Sequence, residues 1–269
     1  MTIDLIFITH NRLEYTKLSL ASVLADETEE FSLTIWDNAS TDATVDYLKN
    51  QVNDARIADI VFSKENVGQI AAVNQVWGRS KADLVGKLDN DCIVTPGWTR
   101  ILTEAHNDIP KLGVVACWHF FPDDFIYELA QQKIQQFNRH HILRHPWTCG
   151  TGFLLKRDTF RRLGPIEGNV TTSYWLKVAL AGYVNGFYYP FIYQEHMDDP
   201  RSSHTMLKSD GDLIRFMPET ARKFHVITLD EWVRFLRRDA LVIHTQSTDP
   251  RDYNGWRARL RKIKNKIGL

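Results

Sequence analysis

Cysteine is scarce in this sequence of 269 residues, which contains only Cys92, Cys117 and Cys149 and no Cys-x-x-Cys pair. An odd number of widely spaced cysteines argues against a disulfide framework and a thiolate zinc site, so we expect a reducing compartment. No window approaches the roughly 18 apolar residues of a membrane-spanning helix, and no signal peptide is recognisable at the N-terminus. The sequence therefore predicts a cytoplasmic protein, attached to a membrane at most peripherally on its inner face.

Charge of one sign is also lacking, because 33 Lys and Arg residues balance 33 Asp and Glu residues. The net charge therefore indicates neither nucleic acid nor an acidic partner. Glycine-rich phosphate loops of the G-x-G-x-x-G or G-x-x-x-x-G-K-[ST] kind do not follow any predicted strand. If a nucleotide binds, we expect a metal ion to balance the charge of its phosphates.

What the sequence does contain is an alternation of short apolar strands and amphipathic helices. Strands are predicted at 3–9, 31–36, 57–62 and 85–88, and helices at 13–24, 43–52 and 69–79. This order favours an α/β fold with a mostly parallel sheet, whose ligands bind beyond the carboxyl ends of the strands. Further on, we expect 101–115 to continue the sheet, strands at 147–155 and 184–193, and helices at 175–182 and 229–243.

Two carboxylates one residue apart, Asp89 and Asp91, follow the fourth predicted strand. In an extended segment both would leave on the same side, about 6–7 Å apart. One could then bind a hard cation while the other accepts a hydrogen bond from water or a sugar hydroxyl. A solvated turn is the alternative. Polar residues at the three earlier strand ends, including Thr9, Asp37 and Asn66, favour a shared ligand site.

These segments, in this order, resemble the large inverting family of GT-A glycosyltransferases often called family two. The resemblance lies in ITHNR (8–12), IWDNASTDAT (35–44), ENVGQIAAVN (65–74), KLDNDCIVTPGW (87–98), GTGFLLKRDTFRRLGPI (150–166) and WLKVALAGY (175–183), and it covers about two-thirds of the chain. It implies a GT-A fold: a Rossmann-like, mostly parallel sheet flanked by helices, with a C-terminal acceptor-side extension. Residues 1–116 would form the nucleotide-sugar-binding half, 117–204 the acceptor-binding half, and 205–269 a C-terminal lid and helical extension.

The resemblance implies an enzyme that uses Mn²⁺ or Mg²⁺ to move a sugar from a nucleotide donor, with UDP-sugars as the expected class. The acceptor would be a glycan, a lipid-linked saccharide or a cell-envelope polymer, as in polysaccharide biosynthesis. Two alternatives stay open. A nucleotidylyltransferase would need a glycine-rich basic loop where HNRLEY (10–15) stands. The other is a sugar-nucleotide-binding module with reduced catalysis.

The same resemblance assigns roles to individual residues. Asp91 would hold the metal on the diphosphate and assist departure of the nucleotide, and His196 would complete the metal site. For His196 the alternative is a histidine that merely packs among the neighbouring aromatics. The donor would be bound by Thr9, Arg12, Asp37 (at the base), Asn66, Gln69, Asp89 and Asn90. Apart from the resemblance, Arg201 is a further candidate for the donor, because a guanidinium pairs well with a phosphate.

The catalytic base is the point where the sequence departs from the family. Many relatives carry a Glu-Asp pair before the helix that here spans 175–182, but Val170 and Thr171 occupy those positions. An inverting reaction needs a base near the acceptor hydroxyl, whereas a retaining reaction can pass the proton to the departing phosphate. Either Asp198 or Asp199 supplies the base, or the enzyme is retaining. An acidic turn before proline is the alternative for each aspartate.

The C-terminal stretch differs from the rest of the chain in its charge and hydrophobic pattern. Residues 255–269 are strongly basic, with apolar residues at helical spacing, so they predict an amphipathic helix suited to an anionic membrane surface. A solvated helix packed by its apolar stripe is the alternative. The polar run 202–212 could form a lid over donor and metal.

Overall fold

The computed structural model describes residues 1–28, 30–50, 53–168 and 171–259. Its strands are β1 (Ile3–Thr9), β2 (Ser32–Asp37), β3 (Ile57–Phe62), β4 (Leu84–Asp89), β5 (Cys92–Val94), β6 (Leu112–Ala116), β7 (Ile134–Phe137), β8 (His140–Arg144), β9 (Phe153–Lys156), β10 (Val184–Tyr189) and β11 (Gln194–His196). Its α-helices are α1 (Leu13–Leu24), α2 (Thr44–Lys49), α3 (Gln69–Arg79), α4 (Trp98–Asp108), α5 (Tyr127–Ala130), α6 (Arg157–Leu163), α7 (Thr171–Leu180), α8 (Asp210–Phe216), α9 (Glu219–Lys223) and α10 (Leu229–Thr245).

Nine of these strands form one sheet in the order β3-β2-β1-β4-β9-β6-β10-β8-β7. Strands β1 to β4 pair in parallel, as the alternation of strands and helices predicts. Strand β9 runs antiparallel between β4 and β6, and β8 runs antiparallel to both β10 and β7. The sheet is therefore parallel from β3 to β4 and mixed beyond β4, which confirms the predicted α/β fold class.

Apolar layers cover both faces of the sheet because the side chains of each strand alternate in direction. In β1, Ile6 and Ile8 join one buried cluster while Leu5 and Phe7 join the other. Helices α3 and α7 pack on the first face, and α1 and α4 pack on the second. The ends of the strands lie between these two apolar layers and carry polar residues.

A two-stranded sheet of β5 and β11 lies beside the large one. Antiparallel pairing sets His196 opposite Cys92, and the backbone amide of Met197 donates to the carbonyl of Asp91 at 2.8 Å. This short pairing carries a segment from the second half of the chain to the end of β4, where the paired acids lie.

The structure corrects several sequence-based boundaries. Residues 101–108 continue helix α4, so the sheet resumes only at β6. The stretch 147–155 is irregular up to Gly152, and β9 begins at Phe153. Strand β10 ends at Tyr189, before the predicted end at residue 193. Helix α2 ends at Lys49, before the predicted end at residue 52, and residues 51 and 52 lie outside the described residues.

After β11 the chain forms an extension with an apolar cluster of its own, centred on Leu207, Leu213, Trp232 and Phe235. The amphipathic tail predicted at 255–269 is described only to residue 259. Among the residues that the structure describes, no helix is long and apolar enough to cross a bilayer. Cys92, Cys117 and Cys149 are free and buried, as expected.

Candidate active site

A cavity of about 1500 Å³ lies at the carboxyl ends of the parallel strands. The loops after β1, β3 and β4 line one side of it, and residues 215–222 of the C-terminal extension line another. Nine of the residues predicted from sequence as site residues contribute to its wall: Thr9, Arg12, Asn66, Gln69, Asp89, Asn90, Asp91, His196 and Asp198. The sheet edge thus gathers side chains that are nearly 190 residues apart in the chain.

Asp91, His196 and Asp198 form a cluster whose ligand atoms all lie within 4.8 Å of one another. Asp91 comes from the β4–β5 turn, and the other two residues arrive through β11. One carboxylate oxygen of Asp198, Oδ1, is buried without a hydrogen-bond partner among the described residues. Two carboxylates and an imidazole with an unsatisfied oxygen are a suitable donor set for Mn²⁺ or Mg²⁺.

Arg12 supplies the positive charge next to this cluster. Its backbone is left-handed, with φ of 61°, and its guanidinium donates to Asp198 at 2.7 Å and to the carbonyl of Phe216 at 3.1 Å. Burial raises the pKa of Asp198 above its ordinary value, although Arg12 opposes this shift. Burial also acts upward on Asp91, but His196 and Arg12 outweigh it and hold the pKa of that carboxyl below its usual range. His196 and Arg12 thus favour the ionised form of Asp91, whereas Arg12 offsets only part of the effect of burial on Asp198.

Asp89 has a different partner from Asp91. The ammonium of Lys87, which is completely buried, lies 2.6 Å from the Asp89 carboxylate and 2.7 Å from the carbonyl of Gly150. Burial raises the pKa of Asp89 to about 6, while Lys87 acts in the opposite direction. Lys87 thus fixes the orientation of Asp89 at the cavity wall.

The side chain of Asn90, which lies between the two acids, is hydrogen-bonded to other residues of the protein. Its side-chain amide donates to the hydroxyls of Thr9 and Thr16 at 3.1 and 2.9 Å and to the carbonyl of Asn11 at 2.9 Å. These bonds fasten the β4–β5 turn to the loop after β1. Donor binding by Asn90 and Thr9 stays a prediction, but both already have a structural role in shaping this turn.

At the end of β2 the cavity is reached by Asn38, to which the sequence analysis assigned no role of its own, and not by Asp37. Asp37 is 1% exposed, accepts a hydrogen bond from the amide of Ser40 at 3.0 Å, and lies outside the cavity wall. Asn38 lines the cavity, and its side-chain oxygen accepts from the amide of Val67 at 2.9 Å. The contact to a base predicted for Asp37 is therefore better placed for Asn38.

Asp199 and Arg201 are not brought into the main cavity. The guanidinium of Arg201 makes two bonds of 2.7 Å to Asp124 and one of 2.7 Å to Asp199. Both oxygens of Asp199 are engaged by Arg201. Their predicted roles, as base and as phosphate partner, stay untested, but neither side chain is free to perform them in this arrangement.

Three further residues at or beside the cavity were not predicted as site residues from the sequence: His119, Lys87 and Arg215. His119 lies in a stretch without clear periodicity, and Arg215 lies in a helix of the C-terminal extension. Neither position has a sequence pattern that indicates a ligand site. At the position of the missing base, Thr171 begins α7 next to Gly150. Val170 lies outside the described residues.

The model of glycosyl transferase family 2 matches residues 4–164, which include β1 to β9 and the Asp89–Asp91 turn. The chain belongs to this family. The enzyme class expected from the sequence, a glycosyltransferase of GT-A fold, is thereby confirmed. No curated protein matches the chain.

Solved structures of glycosyltransferases share the fold at low sequence identity. The mannosyltransferase PcManGT from Pyrobaculum calidifontis, in complex with GDP-Man and Mn²⁺, has a TM-score of 0.62 and 17% identity, over 99% of this chain and 80% of that one. TarS 1–349 from S. aureus, in complex with UDP-GlcNAc, has a TM-score of 0.55 and 14% identity, over 91% and 72%. GalNAc-T7 with UDP, GalNAc and Mn²⁺ has a TM-score of 0.57 and 15% identity, over 80% and 47%.

Proposed function

We propose that this family 2 enzyme transfers a glycosyl group from a nucleoside-diphosphate sugar with the help of a divalent cation held by Asp91, His196 and Asp198. The observation that carries the proposal is the convergence of these three side chains at the wall of the donor-sized cavity. The cation would stabilise the negative charge that develops on the departing diphosphate. Mn²⁺ in two of the similar structures supports a divalent cation, and Mg²⁺, which prefers oxygen ligands, is the second candidate.

Within this proposal, the residues of the chain have distinct tasks. Asp91 and Asp198 would provide negative charge for the cation, and Arg12 holds the Asp198 carboxylate in place. Asp89, oriented by Lys87, is positioned to accept hydrogen bonds from the ribose or the sugar. Asn66 and Gln69 remain proposed donor contacts on the β3–α3 loop, and Asn38 replaces Asp37 as the proposed contact to the base.

Asp198 changes its proposed role. The sequence suggested it as a catalytic base, but its carboxylate is shared between Arg12 and the potential cation, which leaves no oxygen directed to an acceptor. We therefore assign it to the metal site. The proposed division into a donor half (1–116), an acceptor half (117–204) and a C-terminal lid and extension (205–269) fits this arrangement, since residues of the extension line the cavity.

The test is a transfer and hydrolysis assay with UDP- and GDP-sugars, with Mn²⁺ or Mg²⁺ and with EDTA. We expect turnover of at least one donor that EDTA abolishes and Mn²⁺ restores. NMR of the anomeric configuration of the product distinguishes an inverting from a retaining enzyme. Binding of donors in the cation-loaded protein without turnover of any would indicate a binding module and contradict the proposal.

A further inference from the structure

A second cavity, of about 360 Å³, adjoins the candidate active site. His119 and His196 line both cavities. Because His196 belongs to the metal-ligating cluster, a molecule in the second cavity can reach the edge of the cation site. The wall is built from residues 119–122 and 193–203, outside the donor-binding half.

The exposed surface of this cavity is mainly apolar, from Phe120, Phe121, Pro122 and Tyr193. The guanidinium of Arg201 covers one side of Phe121, 4.6 Å from its ring centroid, and helps to hold the ring in place. Such a wall stabilises an apolar group through burial and aromatic contact.

Arg201, Asp199 and Glu195, the charged residues of the wall, already have hydrogen-bond partners. Arg201 engages Asp199 at 2.7 Å, and Glu195 accepts hydrogen bonds from Ser202 at 2.5 Å and Ser203 at 3.3 Å. Among the polar atoms of the described wall, His119 Nδ1 and Gln194 Oε1 are buried without a partner. A sugar ring here would still bury most of its hydroxyls unpaired, at a cost in free energy. The wall therefore discriminates against a polar occupant.

We propose that this cavity binds an apolar group of the acceptor, an alkyl or lipid chain next to the hydroxyl that is glycosylated. The inference rests on the proposed function, whose acceptor class it specifies. The volume lies near the lower end of the range of about 300–1,000 Å³ for ligand pockets, so one chain segment or small ring fills it. His119 is well placed at the junction of the cavities, because its Nδ1 is buried without a partner among the described residues and can hydrogen-bond an acceptor hydroxyl.

The experiment compares octyl β-D-glucopyranoside, below its micellar concentration, with methyl β-D-glucopyranoside, using the whole chain with GDP and Mn²⁺. Binding is followed by saturation-transfer NMR, which also shows which protons contact the protein. We expect the octyl glycoside to bind at least about tenfold more tightly, with saturation concentrated on its chain. Tyr193→Ala and Phe121→Ala should each weaken it by about tenfold, since an aromatic contact surface is lost.

Tyr127→Ala and Phe224→Ala are matched controls, because these aromatic side chains are 48% and 53% exposed and lie outside both cavities. Equal binding of the two glycosides, or a loss in the controls as large as in Tyr193→Ala, would overturn the acceptor subsite. Calorimetry of GDP and UDP with Mn²⁺ on the same proteins tests the proposed function separately. Failure of nucleotide binding counts against the transferase site, whereas failure of the octyl comparison counts only against the subsite.

Discussion

Arg12 and Asp198 form an ion pair of 2.7 Å across 186 residues of sequence, with side-chain exposures of 18% and 2%. The pair joins the loop after β1 to the segment after β11, and Arg12 adds a hydrogen bond to the carbonyl of Phe216 in the extension. One side chain thus connects three parts of the chain that enclose the candidate metal site.

Replacing Arg12 by Met should destabilise the protein by about 3 kcal/mol in EDTA, because the nearly buried carboxylate of Asp198 loses its countercharge. Saturating Mn²⁺ should recover part of this loss, since the cation supplies positive charge at the same carboxylate. Arg12→Lys should lose less than Arg12→Met. Urea unfolding with EDTA and with Mn²⁺ measures each difference.

The control is Arg79→Met, which removes an ion pair of 3.0 Å to Asp59 with side chains 55% and 48% exposed. We expect a loss below about 1 kcal/mol and no Mn²⁺ dependence. If Arg12→Met loses as little, or loses the same free energy in EDTA and Mn²⁺, Asp198 is not a shared partner of Arg12 and the cation.

Removing a metal ligand should affect catalysis much more than folding. We expect Asp91→Asn and His196→Gln each to lower the transfer rate by about 10²–10³, because the charge developing on the leaving diphosphate is no longer stabilised. Mn²⁺ affinity, measured by calorimetry, should fall in both variants, and their thermal unfolding should change little in EDTA. Asp230→Asn is the control, because its side chain is 89% exposed on α10. Full turnover of Asp91→Asn in EDTA would exclude a metal-assisted reaction.

The sequence predicted those parts of the site that follow from local patterns. The apolar runs and helical spacings give β1, α1, β3 and α3 with the observed bounds, and the Asp89–Asp91 pair follows from the end of β4. His196 was predicted as a ligand only through the resemblance, since the three-residue strand that places it has no periodicity of its own. The position of Asp198 beside Asp91 and His196 could not be predicted, because it depends on Arg12 and on a strand pairing far along the chain.

Arg201 and Asp37 show how partners outside the local sequence pattern decide where a predicted site residue lies. Both residue types suit a ligand site, but Asp124 occupies the guanidinium of Arg201, and the turn after β2 directs Asp37 into the interior. Such partners come from elements distant in sequence or from local turn geometry, which composition and spacing do not determine.

The contributions of Lys87 and Asp89 to the free energy of unfolding should be coupled. Lys87→Met leaves the Asp89 carboxylate, whose side chain is 26% exposed, beside Asp91 without its countercharge. We expect a loss of about 2 kcal/mol in unfolding free energy, less than for a fully buried pair. Adding Asp89→Asn to Lys87→Met should restore part of that stability, because the unpaired charge is removed. A double-mutant cycle in urea measures the coupling, and strictly additive effects would contradict the pairing.

Asp26 should make part of the fold's stability dependent on pH. This fully buried carboxylate accepts bonds from the hydroxyls of Thr28 and Thr99 at 2.6 and 2.7 Å and from the backbone amides of Gly97 and Thr99 at the start of α4. Burial alone would raise its pKa, but these hydrogen bonds outweigh burial and hold the pKa of Asp26 below its usual range. Its ionised form is therefore favoured in the folded protein.

A carboxyl with a lowered folded pKa contributes stability above its unfolded pKa, about 4, and loses it as the pH falls through the folded pKa. Asp26→Asn should therefore cost about 2 kcal/mol at pH 7, since hydrogen bonds to a charged acceptor are lost. The difference in unfolding free energy between Asp26→Asn and the wild type should narrow below about pH 4, because the wild-type carboxyl becomes protonated. Urea unfolding between pH 7 and pH 3 measures this difference, with Asp158→Asn, whose side chain is 86% exposed, as the control. If this difference in unfolding free energy stays constant down to pH 3, the negative charge of Asp26 does not contribute to the stability of α4.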